Sequence, residues 1–508
     1  MVASGMVLTR RSLLGALGTL PLTRLAHGQA AHRLTLLHLN DFHSRHEPVD
    51  GRAMSCAAGR EGCFGGSARL ATRIAAERAA AEADGRAVLL LDGGDQFPGS
   101  LFYTAHKGMA ELAVQHAVGV DAMAVGNHEF DNGPATLGRY AAAARFPVLS
   151  ANVDVSAEPE LSGRLRPYAL LDRGGIRVGV VGLTPTETLT SSSPGPRVRI
   201  TDPALALARA ATDARAEGAK LVVALSHLGV LRDATLDGAA VIIGGHSHTL
   251  LSNTEAGALG AYPSISRSGV LVVQAGAYGR YLGRLDLDLQ ADGTVLAHGG
   301  DCLHVGLDLP EDPAVAAIVA SYAAPLQAVR REQVGVLPEG LDNEGCRFAA
   351  CPLGSLVAGA LLQAAQGADV AIMNAGGLRT GLRAGPASLG DVLDALPFGN
   401  TLATLGLSGT DLRAVLEYGL SLPGRGGFPQ VAGLSWDWDL TRPAGNRIMR
   451  VEVGGRPLDP TRTYQVATNS FLRGGGDGYA VLRDRAIDPY DAGPGVAELV
   501  ADRIGRSR

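Results

Sequence analysis

Short apolar runs, separated by polar turns and alanine-rich stretches, dominate the first part of the chain. The runs fall at residues 34–39, 88–91, 122–125, 178–181, 221–225 and 241–243. A short apolar run between turn residues is typical of a buried strand, whereas the alanine-rich stretches favour helices. Strands that alternate with helices predict α/β layering. Residues 270–274 and 283–290 alternate in polarity, and we expect them to close this unit with antiparallel strands.

The pattern changes at about residue 308. Asp312 and Pro313 begin a helical stretch that continues, with an interruption at Pro325, to about residue 331. A second α/β unit follows, with strands expected near residues 370–373, 403–407, 450–453 and 464–467. The predicted organisation is therefore a signal peptide at residues 1–30, a first domain at 31–307, a connector helix at 308–334 and a second domain at 335–508.

The first thirty residues predict an export signal. Arg10 and Arg11 precede a weakly apolar stretch at residues 12–22 and a small-residue site that ends at Ala30. That order is typical of a twin-arginine signal that is cleaved near Ala30. A short membrane anchor or a disordered tail is the alternative. We expect the twin-arginine export machinery to be a partner and the protein to be periplasmic or secreted.

Composition excludes some classes of partner. The chain has 508 residues, long enough for two domains that each bury a core, with 46% hydrophobic and 19% charged residues. No later segment has eighteen unbroken apolar residues, so a stable membrane span is not expected. The net charge of −5 comes without a long basic run, which argues against a nucleic-acid polymer as partner. No feature indicates an oligomeric state.

The cysteines form two close pairs, Cys56 with Cys63 and Cys346 with Cys351, and leave Cys302 without a predicted role. Export would place them in an oxidising compartment, where two local disulfides are the economical interpretation. A zinc site made only of cysteines is the alternative, although neither pair has the spacing of a zinc knuckle.

Five predicted strands are followed directly by metal-ligating residue types. The clusters are Asn40-Asp41-Phe42-His43, Asp92-Gly93-Gly94-Asp95, Asn127-His128-Glu129-Phe130-Asp131, Ser226-His227 and Gly245-His246-Ser247-His248. Open α/β sheets bind ligands at the carboxyl ends of their strands, so we expect these clusters to meet at one edge.

Their side chains offer more ligands than one ion needs. The mixed oxygen and nitrogen donors suit two divalent ions such as Zn or Mn, and a bridging carboxylate can hold two ions about 3.5 to 4 Å apart. The candidate ligands are Asp41, His43, Asp95, Asn127, His227, His246 and His248, with Asp92 as an alternative to Asp95.

These clusters, in this order, resemble the calcineurin-like metallophosphoesterase superfamily. The second unit contains Asn374-Ala375-Gly376-Gly377-Leu378-Arg379, Pro397-Phe398-Gly399-Asn400, and Phe471 followed by Gly474-Gly475-Gly476-Asp477. These motifs resemble the nucleotide-specificity motifs of the 5'-nucleotidase family. The resemblance implies an N-terminal four-layer α/β/β/α metallophosphoesterase domain and a C-terminal α/β substrate-binding domain. Ala375 is a departure, because the family usually has glycine there.

Site residues follow from the resemblance. It implies one ion held by Asp41, His43, Asp95 and His248 and a second held by Asp95, Asn127, His227 and His246, so that Asp95 rather than Asp92 bridges. It implies that His128 and Asp131 are the catalytic pair. In the second unit it implies that Arg347, Asn374 and Arg379 hold the phosphate and nearby polar atoms, that Phe398 and Phe471 sandwich the base, and that Asp477 binds the ribose.

The implied reaction is hydrolysis of a 5'-nucleoside monophosphate to nucleoside and phosphate, by in-line attack of a metal-bound water or hydroxide. A UDP-sugar hydrolase and a 2',3'-cyclic phosphodiesterase with 3'-nucleotidase activity are close alternatives. A thiosulfohydrolase of sulfur oxidation would not need the paired rings, and a non-catalytic nucleotide-binding module would not need every metal ligand. Because metal and base are bound by different units, domain closure about the connector is a further hypothesis.

Overall fold

A computed structural model describes residues 31–50, 56, 62–491 and 493–506. The predicted export signal at residues 1–30 lies outside the described residues. Among the helices described, none combines the length and the apolar character that crossing a membrane requires.

Two six-stranded sheets form the N-terminal unit within the described residues. Its strands are β1 (His32–Leu39), β2 (Ala87–Asp92), β3 (Ala122–Ala124), β4 (Val148–Leu149), β5 (Val153–Asp154), β6 (Tyr168–Arg173), β7 (Ile176–Leu183), β8 (Arg199–Ile200), β9 (Leu221–Ser226), β10 (Val241–Ile243), β11 (Ser264–Ile265), β12 (Leu271–Val273), β13 (Tyr281–Leu289) and β14 (Val295–His304). The first sheet has the order β14-β13-β1-β2-β3-β4 and the second β11-β12-β10-β9-β7-β6. The predicted strands of this unit are confirmed.

Helices cover the outer faces of both sheets. Those of this unit are α1 (Ser67–Ala83), α2 (Leu101–His106), α3 (Met109–Val118), α4 (Gly133–Ala143), α5 (Thr188–Ser191), α6 (Pro203–Ala216) and α7 (Val230–Asp233). Successive strand residues point to opposite faces, so Leu36 packs between the sheets with Val178, whereas Leu37 packs outward with Ile74 of α1. Helix α6 covers the second sheet in the same way. The four-layer α/β/β/α architecture is confirmed.

One predicted strand direction is wrong. Strand β13 pairs antiparallel with β1 and β14, as expected. Strand β12, however, pairs parallel with β10, with Val241 opposite Leu271, and is antiparallel only to the short β11. The chain makes a long excursion between β10 and β12 rather than a hairpin, and such a connection can bring the second strand back in the same direction.

The segment between the two units is helical, with α8 (Pro313–Ala323), a 3₁₀ turn at Ala324–Leu326 and α9 (Gln327–Arg331). The interruption predicted at Pro325 is this 3₁₀ turn, because proline lacks the amide donor that an α-helix needs. Arg330 pairs with Glu47 of the first unit at 2.6 Å. The exact domain boundaries stay a prediction.

The second unit has a five-stranded sheet of order β19-β16-β23-β18-β24 beside smaller sheets. Its strands are β15 (Gln333–Leu337), β16 (Val370–Asn374), β17 (Gly385–Ser388), β18 (Leu402–Ser408), β19 (Pro429–Ala432), β20 (Leu434–Trp438), β21 (Ile448–Val453), β22 (Arg456–Pro457), β23 (Thr463–Asn469) and β24 (Ile487–Tyr490). Its helices are α10 (Pro352–Ala364), α11 (Leu389–Ala395), α12 (Gly409–Leu420), α13 (Ser470–Arg473), α14 (Ala480–Asp484) and α15 (Val496–Arg506). A second α/β unit is therefore confirmed.

Both predicted disulfides are present, Cys56 with Cys63 and Cys346 with Cys351. The second one closes the loop that carries Arg347. Cys302 is buried, and its thiol donates to the carbonyl oxygen of Gln274 at 3.5 Å. Burial raises the pKa of this thiol, which makes it a poor nucleophile.

Candidate metal centre and substrate cleft

The candidate ligands converge from the carboxyl ends of both sheets. Asp41, Asp95 and Asn127 follow β1, β2 and β3 of the first sheet, whereas His227 and His246 follow β9 and β10 of the second. The expectation of a single sheet edge is therefore corrected: two stacked sheets contribute to one site. Because the two sheets stack on each other, side chains that are far apart in the sequence meet at the ends of their strands.

Asp41, His43 and His248 form the first cluster. Nε2 of His248 lies 3.3 Å from Oδ1 of Asp41 and 3.1 Å from Nε2 of His43. Asp41 and His43 have no exposed surface, and His248 is partly exposed. Three donor atoms this close can bind one cation.

Asp95, His227 and His246 form the second cluster. Oδ2 of Asp95 lies 2.9 Å from Nε2 of His227 and 3.9 Å from Nε2 of His43, so this carboxylate stands between the two clusters. Oδ1 of Asn127 lies 3.0 Å from Nδ1 of His246. The carboxylate of Asp95 is therefore placed where it can bridge two ions, one in each cluster.

Asp92, the alternative ligand, belongs to neither cluster. Its carboxylate accepts hydrogen bonds from the side chains of Gln96 and Gln115 at 2.7 and 2.8 Å. Burial raises the pKa of Asp92 to about 7. Its role in the structure is to hold the neighbouring loop, which leaves Asp95 as the candidate bridge.

The surroundings of the histidines fit metal binding. Nδ1 of His43 donates to the carbonyl oxygen of Pro98, and Nδ1 of His227 donates to that of Gly93, which leaves each Nε2 turned toward the clusters. Nε2 of His227 is buried and faces the carboxylates of Asp95 and Asp41, at 2.9 and 3.6 Å. Burial alone would lower the pKa of His227, but Asp95 and Asp41 raise it to about 10. The site therefore stabilises positive charge at the position where a cation would bind.

The backbone of the candidate ligands is unusual. Five of the seven adopt left-handed φ angles between 50° and 70°, namely Asp41, His43, Asp95, His246 and His248. Non-glycine residues rarely adopt this conformation, and such strain concentrates at functional sites. Next to them, a Cβ atom at Gly126 would collide with the Asp95 carboxylate, so glycine is required there.

His128 and Asp131 lie next to this centre. Nδ1 of His128 donates to Oδ2 of Asp131 at 2.6 Å, and the backbone N–H of His128 donates to Oδ1 of Asp95 at 3.0 Å. The His128 ring lies 5.2 Å from the His43 ring and 5.8 Å from the Phe398 ring, between centroids. His128 is thus fixed between the candidate metal ligands and the second unit.

A cleft of about 880 Å³ joins the two units. Of the residues predicted from the sequence it is lined by Asp95, Asn127, His128, Asp131, His246, His248, Arg347, Asn374, Arg379, Phe398, Phe471 and Asp477. Nη2 of Arg379 lies 3.1 Å from Nε2 of His43, although 336 residues separate them in the sequence. The predicted phosphate-binding and metal-binding groups therefore meet.

The far end of the cleft is built around Asp477. Its carboxylate accepts a hydrogen bond from Nδ2 of Asn374 at 2.9 Å, and burial raises its pKa to about 6. Phe471 packs against the backbone of Gly476, where a Cβ atom would lie 2.6 Å from the ring. The ring therefore packs directly against the turn that carries the carboxylate.

Two family models match the chain: residues 34–250 match "Calcineurin-like phosphoesterase" and residues 333–484 match "5'-nucleotidase, C-terminal domain". A snake venom 5'-nucleotidase from Naja atra is 32% identical, over 93% of this chain and 96% of the relative. The chain belongs to the 5'-nucleotidase family.

Further similarities agree with this assignment. The trifunctional nucleotide phosphoesterase YfkN of Bacillus subtilis is 34% identical over 89% of this chain, which spans only 32% of that longer protein. The crystal structure of a 5'-nucleotidase precursor from Thermus thermophilus is 38% identical, with a TM-score of 0.86 and coverage of 94% of this chain and 96% of that one. As a 5'-nucleotidase family member, the chain is a hydrolase of phosphoric esters with two candidate metal sites.

Glu129 is a residue of this 5'-nucleotidase fold that the sequence did not single out. Its side chain is fully buried, and its carboxylate accepts hydrogen bonds from the backbone N–H groups of Asp95, Gln96 and Gly126 at 3.0, 2.8 and 2.7 Å. Burial and the nearby Asp95 raise its pKa to about 8. Glu129 therefore joins the loops after β2 and β3 behind the candidate bridging ligand.

Tyr278 is a second such residue. Its φ of +65° is left-handed, and its ring lies 5.3 Å from that of His248 and 5.7 Å from that of His43. Its backbone N–H donates to the carbonyl oxygen of Asp41 at 2.8 Å. A tyrosine in this conformation has no signal in a single sequence.

Replacing Glu129 with alanine should weaken metal binding about 10- to 100-fold and destabilise the fold by roughly 2 kcal/mol or more, because four buried N–H donors, those of Asp95, Gln96, Phe97 and Gly126, lose their acceptor. Metal titration of the variant measures its metal affinity, and urea denaturation of the same variant measures its free energy of unfolding. Unchanged metal affinity in a folded variant would refute this role, and the exposed Glu160→Ala serves as control.

Proposed function

We propose that this protein hydrolyses 5'-nucleoside monophosphates to nucleoside and inorganic phosphate, using two divalent ions such as Zn or Mn. One observation carries the proposal: members of both clusters of metal-ligating side chains, two aromatic rings and a buried carboxylate border the same interdomain cleft. A phosphate at one end and a nucleoside at the other is the substrate that this combination fits.

The metal-binding roles are proposed for the ligands of the two clusters. Asp41, His43, Asp95 and His248 would hold one ion, and Asp95, Asn127, His227 and His246 would hold the other. When bound, the two ions would supply an activated water for in-line attack and neutralise charge on the phosphoryl oxygens. The protein keeps their ligands in place through the carbonyl contacts of His43 and His227 and the network of Glu129.

Arginine side chains would hold the phosphate against this centre. Arg379 is 9% exposed and lies beside His43, and Arg347 borders the same part of the cleft. A guanidinium group matches the geometry of phosphate oxygens and keeps its charge at any physiological pH. These two arginines would orient the ester and stabilise negative charge that increases in the transition state.

His128 would act on the leaving group or on the transition-state charge. Asp131 accepts a hydrogen bond from Nδ1, which fixes the orientation of the ring. Nε2 is then the nitrogen that can deliver a proton to the departing 5' oxygen. The Phe398 ring lies beside the imidazole, with 5.8 Å between the ring centroids and 29° between the ring planes.

The nucleoside would bind at the far end of the cleft. Phe398 and Phe471 would stack on the base, which every purine or pyrimidine allows, so we expect broad base specificity. Asp477 would accept hydrogen bonds from the ribose hydroxyls, supported by Asn374. This combination disfavours a thiosulfohydrolase, which needs neither ring.

A nucleotide sugar is the second candidate substrate. The cleft volume of about 880 Å³ is near the upper end for small-molecule sites, which favours a substrate larger than a nucleoside monophosphate as the alternative. We also propose that the protein acts in the periplasm or outside the cell, because two disulfides are typical of an oxidising compartment.

Phosphate release from a substrate panel tests the proposal. The panel consists of 5'-AMP, 5'-UMP, 3'-AMP, 2',3'-cyclic AMP, UDP-glucose and a thiosulfate ester, with Zn or Mn supplied. We expect the highest kcat/KM for the 5'-monophosphates, with the two bases within about tenfold of each other. A higher kcat/KM for UDP-glucose or cyclic AMP would contradict the proposal and would identify that compound as the preferred type of substrate.

A further inference from the structure

The carboxylate of Asp131 has a second partner that lies far away in the sequence. Its Oδ2 atom accepts the Nδ1 proton of His128 at 2.6 Å, and its Oδ1 atom accepts the hydroxyl proton of Ser192 at 2.7 Å. Ser192 lies 61 residues further along the chain, directly after α5. Each oxygen of the Asp131 carboxylate therefore accepts one hydrogen bond, Oδ2 from His128 and Oδ1 from Ser192.

This second bond restricts how the carboxylate can rotate. A carboxylate bound through one oxygen can turn about its χ2 angle, whereas one bound through both is held in a single plane. The plane of Asp131 sets the direction of the Nδ1 bond and hence the orientation of the His128 ring. The hydroxyl of Ser192 is thus linked to the His128 ring through one carboxylate.

The segment that carries Ser192 is itself anchored on both units. Helix α5 packs against the turn Gly476–Gly478, which contains Asp477. Just before α5, Oε1 of Glu187 lies 3.5 Å from Nε2 of His246. The hydroxyl of Ser192 is therefore positioned by contacts with the candidate metal ligands and with the nucleoside end of the cleft.

We infer that Ser192 is a positioning residue for hydrolysis, acting through Asp131 to orient His128. This inference rests on the proposed function, because it assumes that His128 takes part in the reaction. Ser192 lines the cleft, and its hydroxyl donates to Asp131. Because the hydroxyl is engaged by Asp131, its loss should act on kcat more than on KM.

A double-mutant cycle tests the inference, with kcat and KM for 5'-AMP measured on the metal-loaded protein. Ser192→Ala should lower kcat about 10- to 100-fold and change KM less than about twofold. Ser192→Thr, which keeps the hydroxyl, should restore most of the loss. Ser162→Ala, at an exposed serine that does not line the cleft, is the control and should behave as the unchanged protein.

The decisive comparison is made in an Asp131→Ala background. There, Ser192→Ala should change the residual kcat less than about twofold, because the group through which it acts is gone. An equal loss in both backgrounds would overturn the inference and would point to a general effect on folding. An unchanged kcat for Ser192→Ala beside an inactive His128→Ala would overturn the inference alone, whereas a fully active His128→Ala would overturn the proposed role of His128 as well.

Discussion

Replacing Asp95 with asparagine should lower kcat for phosphate release at least about a thousandfold. The carboxylate of Asp95 stands between the two clusters, 2.9 Å from Nε2 of His227 and 3.9 Å from Nε2 of His43. The substitution keeps the shape of the side chain but removes its charge. Two divalent ions close together would then lack the negative charge that separates and holds them, so both ion binding and catalysis should suffer.

Asp92→Asn is the matched control for this variant. Asp92 is equally buried, three residues away, and hydrogen-bonded to glutamine side chains instead of standing between the clusters. An amide here should cost local hydrogen bonds with Gly94, Gln96 or Gln115, but it removes no charge from either cluster. We expect kcat to remain within about tenfold of the unchanged protein. Equal losses in the two variants would contradict the assignment of Asp95 as the bridge.

Replacing Phe471 with alanine should raise KM for 5'-AMP about 10- to 100-fold and leave kcat/KM for 4-nitrophenyl phosphate within about threefold. One stacked ring contributes about 1 to 3 kcal/mol to base binding, and the aryl phosphate has no nucleobase. Steady-state kinetics with both substrates measure the difference. If both substrates suffered equally, the base-stacking role would be wrong.

Phe398→Ala is expected to give a different result, which makes it a useful comparison. The Phe398 ring lies 5.8 Å from the His128 ring and 5.8 Å from the guanidinium carbon of Arg379. Its loss should therefore lower kcat for both substrates in addition to weakening nucleotide binding. The sequence alone predicted equal roles for the two rings, and the contacts of Phe398 with the reaction centre separate them.

The sequence predicted most of the buried strands because apolar runs such as residues 34–39 are buried between layers of the fold. It also predicted the candidate ligands, since each follows a strand directly. It could not predict that the strands divide between two sheets, or that β12 runs parallel to β10, because both depend on long connections.

Contacts between distant segments explain what the sequence did not indicate. Glu129 acts through backbone N–H groups, which any residue carries, so its motif does not reveal the role. Ser192 is one of several serines in a polar loop, and only the fold brings it to Asp131. The proximity of Arg379 to His43 likewise required the relative placement of two domains.

The metal requirement is the most direct test of the two-metal account. Metal content per chain is measured by elemental analysis while a chelator-treated sample is titrated with Zn or Mn, and 5'-AMP hydrolysis is followed in parallel. We expect activity to be lost with the metal and to return fully only as the second ion binds, at two ions per chain. Full activity at one ion per chain, or hydrolysis that survives complete metal removal, would contradict the account.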